Sequence, residues 1–159
     1  MRGKRGVSVC VVVGALAVGV VSASAAAKPQ TISVLEVDTA FAGTGGYNAA
    51  SNGPPSAGQG VTFSATVYTW AGAKRGKPIG HLQVLCTVTA GGSGLCNGVM
   101  VLPTGLLELL GPANLNGNSA TDIPVVGGTG AYVGAQGYMH TKPIGTQNSG
   151  TSADTIHII

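Results

Sequence analysis

Short blocks in which apolar and polar residues alternate run through most of the chain. In the clearest block, VTFSATVYTW at 61–70, Val61, Phe63, Ala65 and Val67 fall on one face and mostly hydroxyl or aromatic residues on the other. A period of two is typical of a strand with one buried face, and no stretch carries the 3.6-residue stripe of an amphipathic helix. The pattern therefore predicts an all-β protein.

Eight such blocks are separated by turns rich in glycine, proline and asparagine. Most connections have hairpin length, which favours antiparallel order, and a closed sheet has no exposed edges. We therefore predict a single eight-stranded antiparallel β-barrel of the calycin-like kind; a β-sandwich is the alternative, because periodicity does not separate the two. The blocks are 31–39, 61–70, 79–90, 95–102, 106–111, 119–126, 135–141 and 152–159.

The first residues follow a different pattern. A basic head, MRGKRG, precedes the apolar run 7–21 and the small residues Ala23 and Ala25. This order is typical of a secretory signal, with cleavage expected after Ala25 and Ala27 as the second choice. The run is shorter than the roughly 18 residues of a membrane-spanning helix, although an uncleaved anchor is the alternative. We expect a secreted protein whose residues 26–159 form one domain.

Removing the signal changes the charge balance. The chain has eight Lys and Arg, of which Arg2, Lys4 and Arg5 belong to the basic head, so five remain against five Asp and Glu. A neutral protein has no net attraction for polyanions. We therefore expect no nucleic-acid partner and no membrane partner after signal removal, and interpret the basic cluster at 73–78 as a solvated hairpin loop.

Two cysteines remain, Cys86 and Cys96 in CTVTAGGSGLC. If the chain reverses at Gly91, the two cysteines are opposite each other across an antiparallel pair, at a separation that suits a disulfide. Secretion favours that pairing. A redox-active pair is the alternative, but the spacing lacks the Cys-x-x-Cys geometry.

The segment 124–139, PVVGGTGAYVGAQGYM, contains part of a nucleotide-binding glycine pattern. Val133 stands where the third glycine of G-x-G-x-x-G belongs, and too few residues follow for a βαβ unit. The glycines are better explained as corners with positive φ between two strands.

The same segment resembles the V-x-G-G-T-G-x-[YF]-x-x-A-R-G pattern of dirigent and allene oxide cyclase-like barrel proteins. Looser similarity in FSATVYT, KPIGHLQVLCTVT and VMVLPTGLLELLG extends the resemblance over roughly residues 31–159. It implies an eight-stranded barrel, often a homodimer or homotrimer, with a mainly apolar cavity; some relatives steer phenoxy-radical coupling or cyclise a reactive oxylipin. Gln136 departs from the pattern because it replaces the usual arginine, which removes a fixed cation.

Candidate acid and base groups lie in the first strand. Glu36 and Asp38 are two residues apart and share a face with Ile32 and Val34. Two carboxyl groups that are close and desolvated have separated pKa values, which suits an acid and a base. Asp38 also stands about where dirigent-like proteins carry a pocket aspartate. The alternative is a solvent-facing strand end.

Tyr68, Glu108 and Tyr138 are weaker candidates for lining a ligand pocket, with packing or a position on the rim as the alternatives. His81, His140 and His157 come from separate blocks without ligand spacing, so we expect no metal and no other cofactor.

Three functions remain open from the sequence. The first is a secreted barrel that binds a small, mostly apolar molecule and orients it for stereoselective cyclisation or coupling, work in which confinement alone lowers a barrier. The second is a non-catalytic carrier that uses the same cavity. The third is a structural extracellular barrel.

Overall fold

The structure is a computed structural model that describes residues 27–46, 55–90, 92–115, 119–145 and 149–159. The predicted signal peptide, with its ends at residue 25 or 27, falls almost wholly outside these residues and stays a prediction. No helix in the described ranges is long and apolar enough to cross a membrane.

Eight strands form one closed antiparallel barrel in which each strand pairs with the next and the last pairs with the first. The predicted fold class is confirmed, and the sandwich is excluded because β8 pairs with β1 along eight residue pairs. The strands are β1 (Gln30–Thr44), β2 (Gly60–Trp70), β3 (Arg75–Ala90), β4 (Ser93–Leu102), β5 (Gly105–Asn114), β6 (Thr121–Gly128), β7 (Gly137–Pro143) and β8 (Thr151–Ile158).

The barrel has two ends, which are named here for later use. The lower end is where β1 begins, and it carries the β2–β3, β4–β5 and β6–β7 connections. The upper end is where β1 finishes, and it carries the other four connections.

Alternate residues of every strand point inward and fill the barrel. Val67, Leu82, Met100, Leu107 and Ile156 are each less than 2% exposed and come from five different strands. Burying such side chains contributes about 1.5 to 3 kcal/mol each. The period-two pattern of the sequence therefore identifies the core directly.

A β-bulge changes which residues of β1 face inward. Asp38 pairs with Ala65 and Ala40 with Ser64, so Thr39 is an extra residue without a partner in the register. Beyond the bulge the odd-numbered residues of β1 face the interior, and Phe41 pairs with the inward-facing Phe63. Bulges commonly re-aim a side chain in this way.

Cys86 and Cys96 form the predicted disulfide between directly paired residues of β3 and β4. Both cysteines are buried and pack with Val61 in a small cluster separate from the main core. The bond joins neighbouring strands of the barrel wall, which confirms the predicted pairing.

The glycine-rich segment is a corner between β6 and β7, as predicted. Gly130 and Gly134 have φ of 62° and 71°, values that side chains with a Cβ rarely adopt. A Cβ on Gly130 would also collide with the carbonyl of Thr104. The corner is closed by Thr104, whose hydroxyl donates to Tyr132 Oη at 3.0 Å.

Candidate functional site

A pair of buried carboxyl groups lies inside the barrel wall. Glu36 of β1 is 5% exposed and Asp154 of β8 is 1% exposed. In the β1–β8 register Glu36 pairs with Ser152 and Asp154 with Val34, so the two acids are diagonal neighbours on the inner face. They are the only buried acidic residues in the described part of the chain. We call Glu36 and Asp154 the acid pair.

Few groups of the protein form hydrogen bonds with the acid pair. Ser152 Oγ lies 3.3 Å from Glu36 Oε2 and 3.5 Å from Asp154 Oδ2, and its single hydroxyl proton can be donated to either. Glu36 Oε1 and Asp154 Oδ1 are buried and have no hydrogen-bond partner among the described residues. Two ionised carboxylates would be costly in such surroundings, so the site favours retention of a proton.

The pKa values of both acids are raised. Burial is the largest cause for Glu36, whose pKa lies well above its ordinary value, and the negative charge of Asp154 raises it further. Burial also raises the pKa of Asp154, to about 6, while hydrogen bonds from Thr141 and Glu36 and the charge of His140 act in the opposite direction.

The geometry of the pair and the raised pKa values agree. Two neighbouring buried carboxyl groups that share the single hydroxyl donor of Ser152 resist ionising together, and the negative charge of Asp154 raises the pKa of Glu36. A pair that keeps a proton to higher pH than exposed acids do is suited to supply an acid and a base.

Asp38, the other predicted catalytic residue, lies above Glu36 toward the upper end. Its backbone N–H donates to Gly150 O at 2.7 Å, and a Cβ on Gly150 would lie 3.0 Å from Asp38 Cβ. Burial raises the pKa of Asp38, and its negative charge raises that of Glu36 slightly. Asp38 adds negative charge at the upper edge of the acid pair.

Inward-facing apolar side chains toward the upper end are only partly buried. Phe41 pairs with Phe63, which packs against the main core, so both rings face inward. Phe41 nevertheless has 52% of its surface exposed, and Phe63 and Val84 are only partly buried. Phe63 and Val84 line a pocket in the β2–β4 wall together with Leu85. We call the region defined by Phe41, Phe63 and Val84 the aromatic mouth.

The three residues predicted to line a ligand pocket lie on the outer face of the barrel. Glu108 is exposed between the buried Leu107 and Leu109. Tyr138 is 42% exposed and stacks on the ring of His157, with 4.7 Å between the ring centroids. Tyr68, the residue after the buried Val67, lies under the Arg75 guanidinium. Strand alternation directs these side chains away from the interior, so they are not part of the candidate site.

The histidines lie outside the acid pair, although the charge of His140 lowers the pKa of Asp154. His81 is exposed on β3. His140 Nδ1 lies 2.6 Å from Asp122 Oδ1 on the outer face of β7 and β6. No group of three or more His, Cys, Asp or Glu that could hold a metal is present in the described ranges.

Sequence reasoning missed Asp154 and Ser152. The signal was present, because Ser152, Asp154, Ile156 and Ile158 alternate along β8 and the two isoleucines mark the buried face. What the pattern lacks is the pairing partner: only closure of the barrel brings β8 beside β1 and places Asp154 next to Glu36.

No protein-family model and no curated protein matches the sequence. Solved structures do match the fold. Pyocyanin demethylase has a TM-score of 0.61 at 16% identity, with 82% of this chain and all of that chain covered. The pterocarpan synthase dirigent protein GePTS1 has a TM-score of 0.61 at 17% identity, with 82% and 87% covered. AbnU, an exo-specific intermolecular Diels-Alderase, has a TM-score of 0.62 at 16% identity, with 82% and 98% covered.

These likenesses agree with the resemblance found in the glycine-rich segment, and at such low identity they concern the fold. The chain therefore has the eight-stranded barrel fold that dirigent proteins and Diels-Alderases share.

Proposed function

We propose that the protein is a secreted barrel that binds a small, mostly apolar molecule through the aromatic mouth and orients it for stereoselective cyclisation or coupling. The observation that carries the proposal is the acid pair, two buried carboxyl groups with raised pKa values inside an apolar barrel. The structural neighbours support it, because their names describe a demethylase, a pterocarpan synthase and a Diels-Alderase, all of which act on small organic molecules.

The acid pair supplies the chemistry in this proposal. Glu36 Oε1 is buried without a hydrogen-bond partner among the described residues, so a polar atom of a molecule that enters the barrel would satisfy it. One carboxyl group of the pair acts as the acid toward a carbonyl or hydroxyl oxygen, and the other accepts a proton. The apolar walls hold the molecule in one reactive conformation, which lowers the entropic part of the barrier.

Secretion fits the disulfide, because such bonds persist in oxidising compartments. The expected location outside the cell stays a prediction that N-terminal sequencing of protein from the medium would test.

Binding through the mouth can be tested with N-phenyl-1-naphthylamine, a small apolar fluorophore that brightens in apolar surroundings. Phe41→Ala removes the half-exposed ring at the mouth, and Leu95→Ala removes a side chain of similar exposure, 53%, from the outer face of β4. We expect about tenfold weaker binding for Phe41→Ala, since an aromatic contact is worth about 0.5 to 1.5 kcal/mol beyond the area it buries. Leu95→Ala should bind like the wild type.

The proposed binding is contradicted if the fluorophore does not brighten with the wild-type protein, or if the two variants weaken fluorophore binding equally. A non-catalytic carrier would show the same binding. The two functions differ in the fate of the native ligand, because a carrier would release it unchanged from both the wild type and Glu36→Gln. Mass spectrometry of the released ligand distinguishes them.

A further inference from the structure

The cationic side chains are gathered at the lower end of the barrel, although the count from residue 27 onward is neutral. Lys28, Lys74, Arg75 and Lys77 lie at this end, and Lys142, near the end of β7, is the one cation toward the upper end. The acids lie elsewhere. Glu36 and Asp154 are buried inside the barrel, and the exposed Asp38 lies above them toward the upper end. Asp122 is near the start of β6 at the upper end, and Glu108 is on the outer wall of β5.

Three of these cations belong to the β2–β3 hairpin, residues 70–77, which we call the cationic hairpin. Lys74, Arg75 and Lys77 are exposed, and Trp70 at its base is partly buried and pairs with Arg75. The Arg75 guanidinium lies 5.0 Å from the centre of the Tyr68 ring. The Lys77 N–H donates to Thr69 Oγ1 at 3.1 Å, so the base of the hairpin is held in place.

We propose that the lower end of the barrel docks on an anionic lipid surface through the cationic hairpin and Trp70. Tryptophan beside lysine and arginine is the combination that prefers the boundary between headgroups and water. The cations occupy one compact turn, whereas a nucleic-acid site needs a basic groove or stripe that follows the phosphate backbone. The inference departs from the expectation, based on net charge alone, that the protein has no membrane partner.

The path of the chain supports the same orientation. The Ala27 N–H donates to Val133 O at 2.9 Å, in the β6–β7 connection, so the chain enters the barrel at the lower end. Docking by the lower end also directs the aromatic mouth, at the opposite end, away from the lipid.

Trp70 makes the test specific, because it is the only tryptophan in the chain. Protein from which its host has removed the signal peptide is titrated with phosphatidylcholine vesicles and with vesicles that also contain phosphatidylglycerol. Tryptophan emission and co-sedimentation are followed. We expect a blue shift and co-sedimentation with the anionic vesicles only, both weakened by added salt. Each lysine near an anionic surface is worth about fivefold in affinity, so Lys74→Gln/Lys77→Gln should bind about 25-fold more weakly.

Lys142→Gln is the matched control, because it removes a cation at the other end of the barrel, away from the lipid, and should bind with about the wild-type affinity. The proposal is overturned if the wild type gives no blue shift with anionic vesicles, if it binds pure phosphatidylcholine equally well, or if Lys142→Gln loses as much affinity as the double variant. Binding to heparin or DNA without binding to vesicles would also overturn it. Circular dichroism establishes that each variant is folded.

Discussion

At the scale of single residues, the acid pair links the candidate chemistry to stability. Asp154 has an ordinary pKa of 3.8 that rises to about 6 in the fold, and the pKa of Glu36 is raised as well. The folded protein therefore binds more protons than the unfolded chain in this range. Its stabilisation is full at low pH and is lost as pH rises through the folded pKa values, which is opposite to the usual salt-bridged carboxylate.

We expect the free energy of unfolding to fall by about 3 kcal/mol between pH ~4 and pH ~8, since a shift of two pKa units is worth about that much. Glu36→Gln/Asp154→Asn keeps the shape of both side chains without titrating, so its stability should be nearly flat over this range. Glu108→Gln changes an exposed acid and should keep the wild-type slope. Urea unfolding at several pH values measures all three proteins. A wild-type stability that rises with pH would contradict the assignment.

Sequence reasoning identified Glu36 but not Asp154, and the reason is physical. Glu36 lies in a clear alternating strand beside Ile32 and Val34, so its inward direction follows from period two alone. Whether it meets solvent or another acid depends on which strand lies beside β1, and that contact joins residues more than a hundred positions apart.

At the scale of the elements, the bulge at Thr39 is a feature that the alternation of apolar and polar residues does not predict. The sequence predicts a strand that ends at residue 39, but β1 continues to Thr44 and inverts its inward face on the way. Without the extra residue, Ala40 rather than Phe41 would face the interior. The aromatic mouth therefore depends on one irregularity in pairing that no hydrophobic pattern marks.

The β3–β4 hairpin is stabilised by its disulfide. Cys86 and Cys96 are ten residues apart, and closing a loop of that length is worth about 3 kcal/mol on the chain-entropy model. The free energy of unfolding of Cys86→Ser/Cys96→Ser should be lower by that amount. The variant should therefore keep the barrel but unfold at a lower urea concentration. Reduction of the wild-type protein should lower its stability to a similar degree. If neither treatment changes the midpoint of unfolding, the bond does not stabilise the fold.

At the scale of the whole molecule, the number and spacing of the strands predicted the closed barrel correctly. Hairpin-length connections leave antiparallel neighbours as the simple solution, and eight strands have enough width to close. The sequence did not predict which charged residues lie at the same end of the barrel. Net charge conceals the gathering of Lys28, Lys74, Arg75 and Lys77 at one end, because only closure brings the N-terminal segment and the β2–β3 hairpin to the same end. Assembly into a homodimer or homotrimer stays a prediction from the resemblance.

The central claim is that a buried acid pair with raised pKa values lies inside this barrel, and carboxyl-carbon NMR titration of Glu36 and Asp154 tests it most directly. The account predicts that Asp154 titrates near 6 and that the pKa of Glu36 lies well above its ordinary value. If both carboxyl groups instead titrate at about 4, as ordinary exposed acids do, the account of the site is contradicted.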